Sequence, residues 1–309
     1  MKKYDILIKL KFTLISNYII GKNYQKLMRC WEEKIKITLK DLEYKSPNNI
    51  KEVEVFHKKD LAEHYLQKFV SYSELLDDTN ILIIKKNHSV KLICGNITVG
   101  AVIRNAAKAS VLKHFGAKMK VTVDAHYPLN RGGEHRSTGT MAAHGYRPNR
   151  TKTPSFKYKY NENLSFNTEE IYDNDGNTLA KWLFENSKYH LSFATSSYED
   201  FKNQVKLNDD EPIGAVFCTK NYEAEGHIDK DRSKYAIGYV YEEGTVEEGY
   251  FFYPEYGVAI EMASNSIWCW LPKSVHGTTK LNLSKGGTRY TAVISLTEKT
   301  AKSIEKKSR

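Results

Sequence analysis

The sequence predicts an α+β fold: a double-stranded β-helix, or jelly roll, with flanking helices and an N-terminal α/β extension. Three observations point there. Short β-rich runs follow one another through the last third of the chain, separated by Gly-containing or acidic breaks. Helical patterns stand immediately before them. Two histidines and a carboxylate, His227-Ile228-Asp229 and His276, are separated by enough chain for about four short strands, the length a barrel needs to return its far wall to its near one.

The elements follow in order. Residues 1–80 read as a lysine-rich extension, and residues 81–309 as the main domain with its β-helix core at about 210–297. Within the extension, Asp60–Phe69 has apolar residues at helical spacing with Asp60 as the expected N-cap. Asn80–Lys85 reads as a short buried strand, and Val90–Cys94 and Thr98–Ile103 as two more. Arg104–Phe115 reads as a helix closed by Gly116, with a strand expected at Val121–Val123. His126–Thr153, rich in Gly, Pro, Arg and His, reads as a long loop, a feature usually functional when it occurs inside a domain. Thr178–Tyr189 is an amphipathic helix, and Ser196-x-x-Glu199 a capping box opening another through Val205. Six strands are expected after it: Ile213–Thr219, Ala236–Tyr241, Tyr250–Tyr253, Val258–Glu261, Ser266–Trp270 and Arg289–Leu296. The basic tail after Thr297 is expected to fray.

Composition narrows the class. A mean hydropathy of -0.57 excludes a bundle of membrane helices. Lys9 and Lys11 interrupt the apolar opening stretch and no small-residue cleavage site follows, so a signal peptide is disfavoured. Cys30, Cys94, Cys218 and Cys269 show no CxxC pairing and read as reduced thiols of a nuclear or cytoplasmic protein. The net charge of +10 is uneven: residues 81–160 hold 15 basic and 2 acidic side chains. That block suggests a polyanionic partner such as nucleic acid.

The chemistry-bearing residues lie further on. In extended chain His227 and Asp229 face the same side, with Ile228 turned into the core. Two imidazoles and one carboxylate can cap one face of an octahedral Fe(II) and leave the other open, the facial triad of non-haem iron oxygenases. Arg289 leads an apolar strand and is costly to bury without an anion. Its planar guanidinium suits a carboxylate such as the far end of 2-oxoglutarate, with Thr291 on the same strand face.

The runs EGHIDKDRSKYAIGYVYEEG, EGYFFYPEYGVAIEMASNSIWCWLPKSVHGTT and GGTRYTAVISL resemble the cupin-like core of 2-oxoglutarate/Fe(II)-dependent dioxygenases. Within that superfamily the chain is most similar to the TET/JBP-like branch found in fungi, over roughly residues 120–297. The resemblance implies that His227, Asp229 and His276 bind Fe(II), that Arg289 and Thr291 bind 2-oxoglutarate, and that Arg131, in Arg131-Gly132-Gly133, reaches the co-substrate. Molecular oxygen would be the second co-substrate. Relatives often carry a Pro-Gly-Asp turn before the strand leading to the last histidine, where this chain has Ala263-Ser264-Asn265-Ser266. An Asn turn can serve the same purpose. Aspartate at 229, in place of a small residue that would admit halide, favours hydroxylation.

The substrate expected first is the methyl group of a modified nucleobase, 5-methylcytosine-like, in DNA or RNA. Tyr127, Arg136, Tyr146 and Arg147 are candidates to stack or hold an extruded base. Alternatives are the same chemistry on a protein side chain or small molecule, as in prolyl hydroxylases, and an inactive barrel that binds nucleic acid.

Overall fold

The computed structural model describes residues 37–45, 49–125, 136–147, 156–157, 166–207 and 213–307. From Leu39 onward the chain forms one compact unit. A short helix α1 (Leu39–Leu42) precedes β1 (Ile50–Glu54), α2 (Lys59–Tyr65), α3 (Tyr72–Asp77), β2 (Leu82–Ile84), β3 (Ser89–Cys94) and β4 (Ile97–Arg104). Next come α4 (Ala109–Ala125), β5 (Ser137–Arg147), β6 (Phe156–Lys157), α5 (Phe166–His190) and α6 (Ser192–Val205). The core strands are β7 (Ala215–His227), β8 (Ala236–Glu243), β9 (Glu247–Glu248), β10 (Tyr250–Tyr253), β11 (Val258–Glu261), β12 (Ser266–Trp270), β13 (His276–Thr278), β14 (Leu281–Asn282) and β15 (Thr288–Ser295), with α7 (Glu298–Lys307) last.

The pairing is that of a double-stranded β-helix. One sheet runs β7-β15-β8-β12, extended by β4, β3 and β1. The other runs β7-β13-β10-β11, extended by β2. β7 serves both: residues 215–220 pair with β15, while Ala224 and His227 pair with β13. The change falls at Asn221, whose φ of 49° breaks the extended backbone. Opposite it, Gly139 has φ 80°, and a Cβ there would lie 2.1 Å from the Asn221 carbonyl oxygen. Strand alternation divides the side chains of β10. Phe251 and Tyr253 pack inward with Trp268, Trp270 and Val258. Tyr250 and Phe252 face outward onto Tyr65, Val70 and Leu75, through which α2 and α3 cover that sheet.

Several expectations are corrected. The stretch read as a long loop contains β5, an eleven-residue strand paired with β7 from Ser137↔Ala224 to Gly145↔Ala215. Gly116 does not end its helix. Helix α4 continues to Ala125 and absorbs the expected strand at Val121–Val123, and Gly116 is where the Tyr241 ring packs, 2.3 Å from any added Cβ. Ser196 sits inside α6, which opens at Ser192. Helix α5 extends well before Thr178. Lys58, not Asp60, occupies the N-cap of α2. Leu82 in β2 is exposed, because that strand is the sheet's edge. The tail from Glu298 is helix α7, docked through Ala301 and Ile304 and capped by Thr297 Oγ1 accepting from the Thr300 amide. The Asn turn forms as expected: Asn265 has φ 61°, and its side-chain amide bonds both the N–H and the C=O of Ala107. Cys94, Cys218 and Cys269 are free thiols, with Cys269 buried. Cys30 and the first twenty residues lie outside the described residues. No described helix is long and apolar enough to cross a membrane.

Candidate metal centre

His227 is the last residue of β7 and His276 the first of β13, and the two are directly paired across the strands. Their rings lie 4.4 Å apart. Asp229 follows in the loop, fixed by its amide donating to Pro272 O at 2.8 Å. Its Oδ2 stands 3.9 Å from His227 Nε2 and 3.5 Å from His276 Nε2. One ligand atom from each residue falls within 4.8 Å of the others. Ile228, expected in the core, is instead 49% exposed, because the chain leaves the strand at His227.

The backbone sets the tautomer of both rings. His227 Nδ1 lies 2.7 Å from Glu225 O, and His276 Nδ1 lies 2.9 Å from Ser274 O. A carbonyl only accepts, so each Nδ1 carries the hydrogen and each Nε2 lone pair is directed at the shared centre. Two imidazole nitrogens and one carboxylate suit Fe(II) in kind and number, and three protein ligands leave coordination positions open. Phe251 stacks on the His276 ring at 5.8 Å, and Trp270 tilts against it at 5.4 Å. Gly277 lets β13 approach: a Cβ there would lie 2.4 Å from the Phe252 ring.

The triad opens on a cavity of about 680 Å³ inside the barrel. Arg289, Thr291 and Val293 line it from alternate positions of β15, with Phe217 and Thr219 from β7 beside them. Thr219 and Thr291 share a hydroxyl hydrogen bond. Arg289 is buried, and its anion is Glu242, which sits directly opposite on β8 and accepts from Nε at 2.7 Å. Its terminal nitrogens donate to Gly249 O, Glu248 O and Met262 O. Of the five N–H groups of a guanidinium, one on Nη1 has no acceptor among the described residues. Burial lowers the Arg289 pKa, and Glu242 opposes that shift. Trp268 and Trp270 also line the cavity, and their buried indole N–H groups have no hydrogen-bond partner among the described residues. At the rim stand the exposed Lys230, Lys299 and Lys302, the last two from α7.

The remaining candidates do not gather here. Tyr146 is 2% exposed and held in the core, so it cannot stack an extruded base, and that expectation is corrected. Arg136 is absent from the cavity wall. Its Nε donates to Glu225 Oε2 at 2.8 Å and its backbone amide to Oε1 at 2.7 Å, which clips β5 to the end of β7. Its guanidinium also lies over Phe69. Tyr127, Arg131 and the side chain of Arg147 lie outside the described residues. In the basic segment, Lys91 pairs with Glu52, Lys108 with Asp41 and Lys120 with Glu243, while Arg104 and Lys118 are buried. These five cations are engaged within the fold. Glu225 and Glu242 were missed in the sequence. A signal existed for Glu242: an acid on the inward face of a strand needs a buried cation.

No protein-family model and no curated protein matches the sequence. Among solved structures, the chain superposes on NgTET1 in complex with 5mC DNA with a TM-score of 0.48 at 11% identity, covering 75% of this chain and 93% of that one. It also superposes on a Pseudomonas putida prolyl-4-hydroxylase, with TM-score 0.38, 9% identity, and 64% and 92% coverage. A viral collagen prolyl hydroxylase from Paramecium Bursaria Chlorella virus-1, in a 2OG complex, gives 0.33, 10%, and 64% and 97%.

Proposed function

We propose that the protein is an Fe(II)- and 2-oxoglutarate-dependent dioxygenase that hydroxylates a C–H bond. The supporting observation is the convergence of His227, Asp229 and His276, with both Nε2 lone pairs directed at one point beside a cavity that also holds Arg289 and Thr291. The three side chains would hold the metal, and Arg289 and Thr291 would take the far carboxylate of the keto-acid. When bound, these cofactors supply the oxidising power that inserts an oxygen atom from O2 into the substrate. The chain's own part is to fix the imidazole tautomers, hold the carboxylate against them and wall the centre with Phe251 and Trp270. Arg131 remains a proposed contact to the co-substrate.

The substrate we favour is the methyl group of a modified nucleobase in DNA or RNA. Lys230, Lys299 and Lys302 support it, being three exposed cations at the mouth of the cavity, with no carboxylate paired to them among the described residues, where a phosphate backbone would pass. Oxidation of a peptide or small molecule is the second reading. Anaerobic Fe(II) and 2-oxoglutarate titration, then succinate release against methylated DNA, methylated RNA and a peptide pool, separates the two. Succinate release stimulated only by peptide overturns the nucleobase reading. Undiminished turnover by Asp229→Ala overturns the dioxygenase reading.

A further inference from the structure

Strands β9 and β14 form a two-stranded sheet of their own, with Leu281 opposite Glu248 and Asn282 opposite Glu247. The chain leaves β9 through Glu248 and Gly249, both in left-handed backbone with φ of 58° and 77°. That backbone suits glycine, is tolerated by Asn and Asp, and is unfavourable for other side chains. Nothing local offsets it at Glu248, whose side chain is exposed and held by no hydrogen bond or ion pair among the described residues. What the two left-handed residues do is close on Arg289. Gly249 O accepts from Nη1 at 2.8 Å and Glu248 O from Nη2 at 3.3 Å. Gly249 and Leu281 line the cavity beside Arg289, and a Cβ at 249 would collide with both Leu281 and the guanidinium. The strained turn is thus part of the cover over the buried cation.

A carboxylate gripped by a guanidinium fork takes one N–H from each of two nitrogens. Here Nε donates to Glu242 and Nη2 to Glu248 O and Met262 O, while only one N–H, on Nη1, has no acceptor among the described residues. One of these acceptors must therefore leave before a forked grip can form. Glu242 carries the balancing charge, and Met262 is packed in the barrel core. Glu248 O makes the longest of the four bonds and lies on backbone that is relieved by turning away. We infer that Glu248 is a positioning residue for the 2-oxo acid co-substrate, acting through Arg289: its turn covers the guanidinium and gives way to the far carboxylate, so backbone strain at 248 sets the affinity. The inference rests on the dioxygenase reading of the site.

The test uses the full chain loaded with Mn(II). Glu248→Asn, Glu248→Gln and Glu248→Val all remove the same charge, but they tolerate left-handed backbone in falling order. Without 2-oxoglutarate, melting temperature is expected to fall from Asn through Gln to Val. Affinity for 2-oxoglutarate by calorimetry is expected to rise in that order, about threefold from Asn to Gln and about tenfold from Asn to Val. A turn that served stability alone would give the opposite order or none. The Asn and Gln pair decides the matter even where the Val variant fails to fold. Equal affinities, or affinity that falls with stability, overturn the inference and leave the dioxygenase reading standing. Wild-type protein that takes Mn(II) but no 2-oxoglutarate overturns that reading, and the inference with it.

Discussion

Glu242→Gln tests how the buried arginine is held. The Arg289 side chain is 6% exposed and that of Glu242 15%, so the pair is largely withdrawn from water. Glutamine keeps an oxygen near Arg289 Nε, where the carboxylate accepts at 2.7 Å, but removes the charge that neutralises the guanidinium. Stranding a buried cation costs about 3–5 kcal/mol, and the retained amide oxygen places the expected loss at about 3 kcal/mol. At about 2–4 °C per kcal/mol for a domain of this size, the melting temperature should fall by about 6–12 °C. If Arg289 meets the far carboxylate of the co-substrate, the variant should recover part of that loss on binding. Its dissociation constant for 2-oxoglutarate should then be about tenfold or more below wild type, since about 1.4 kcal/mol is tenfold. Differential scanning fluorimetry and calorimetry, each with Mn(II) and with and without 2-oxoglutarate, measure both terms. A variant that melts lower yet binds 2-oxoglutarate no more tightly would refute the role assigned to Arg289. A variant with unchanged melting would refute the account of the ion pair.

Other outcomes follow from the same structure. His227→Ala and Asp229→Ala should each abolish stoichiometric Fe(II) binding, measured by metal analysis after gel filtration, while circular dichroism stays at wild type. Gly116→Ala should destabilise by about 1–3 kcal/mol through overlap with the Tyr241 ring, despite alanine's better helix propensity. In a Tyr241→Ala background the same change should become neutral or stabilising in urea unfolding. Ser71→Ala removes one half of a capping box with Glu74 and should cost about 1 kcal/mol at neutral pH. The side-chain and backbone hydrogen bonds of Ser71 hold the Glu74 pKa below its ordinary 4.5. That contribution is present above 4.5 and disappears as pH falls through the lowered value, so the difference between variant and wild type should shrink in acid. Lys299→Glu with Lys302→Glu should weaken binding of methylated DNA or RNA and reduce its salt dependence, by roughly one unit of slope for each phosphate no longer neutralised.

The β-rich last third was the most legible part of the chain, and the reasons are local. Tyr250–Tyr253, Val258–Glu261 and Ser266–Trp270 fall on the expected residues, because each is a short aromatic or β-branched run between turn residues. β5 was not legible. Ser137–Arg147 is built mostly of small residues, and two glycines of positive φ, Gly139 and Gly145, resemble loop punctuation. What makes it a strand is the long partner β7, which no local pattern announces. Gly116 failed for a related reason. A glycine past an apolar helical run reads as a cap, but here its missing Cβ admits a ring from a strand more than a hundred residues later.

The site divides along the same line. Type and spacing alone proposed His227, Asp229 and His276, and the fold brings these three together because β7 and β13 are neighbours in the second sheet. Arg289 does have the anion that a buried arginine requires. Which anion could not be read from the chain, because Glu242 stands opposite Arg289 only through the register of β15 on β8. That register gives the cavity a neutral pair where the sequence suggested a bare cation. A guanidinium whose charge is balanced by a neighbouring carboxylate still orients a second carboxylate, but with fewer free donors and less long-range attraction.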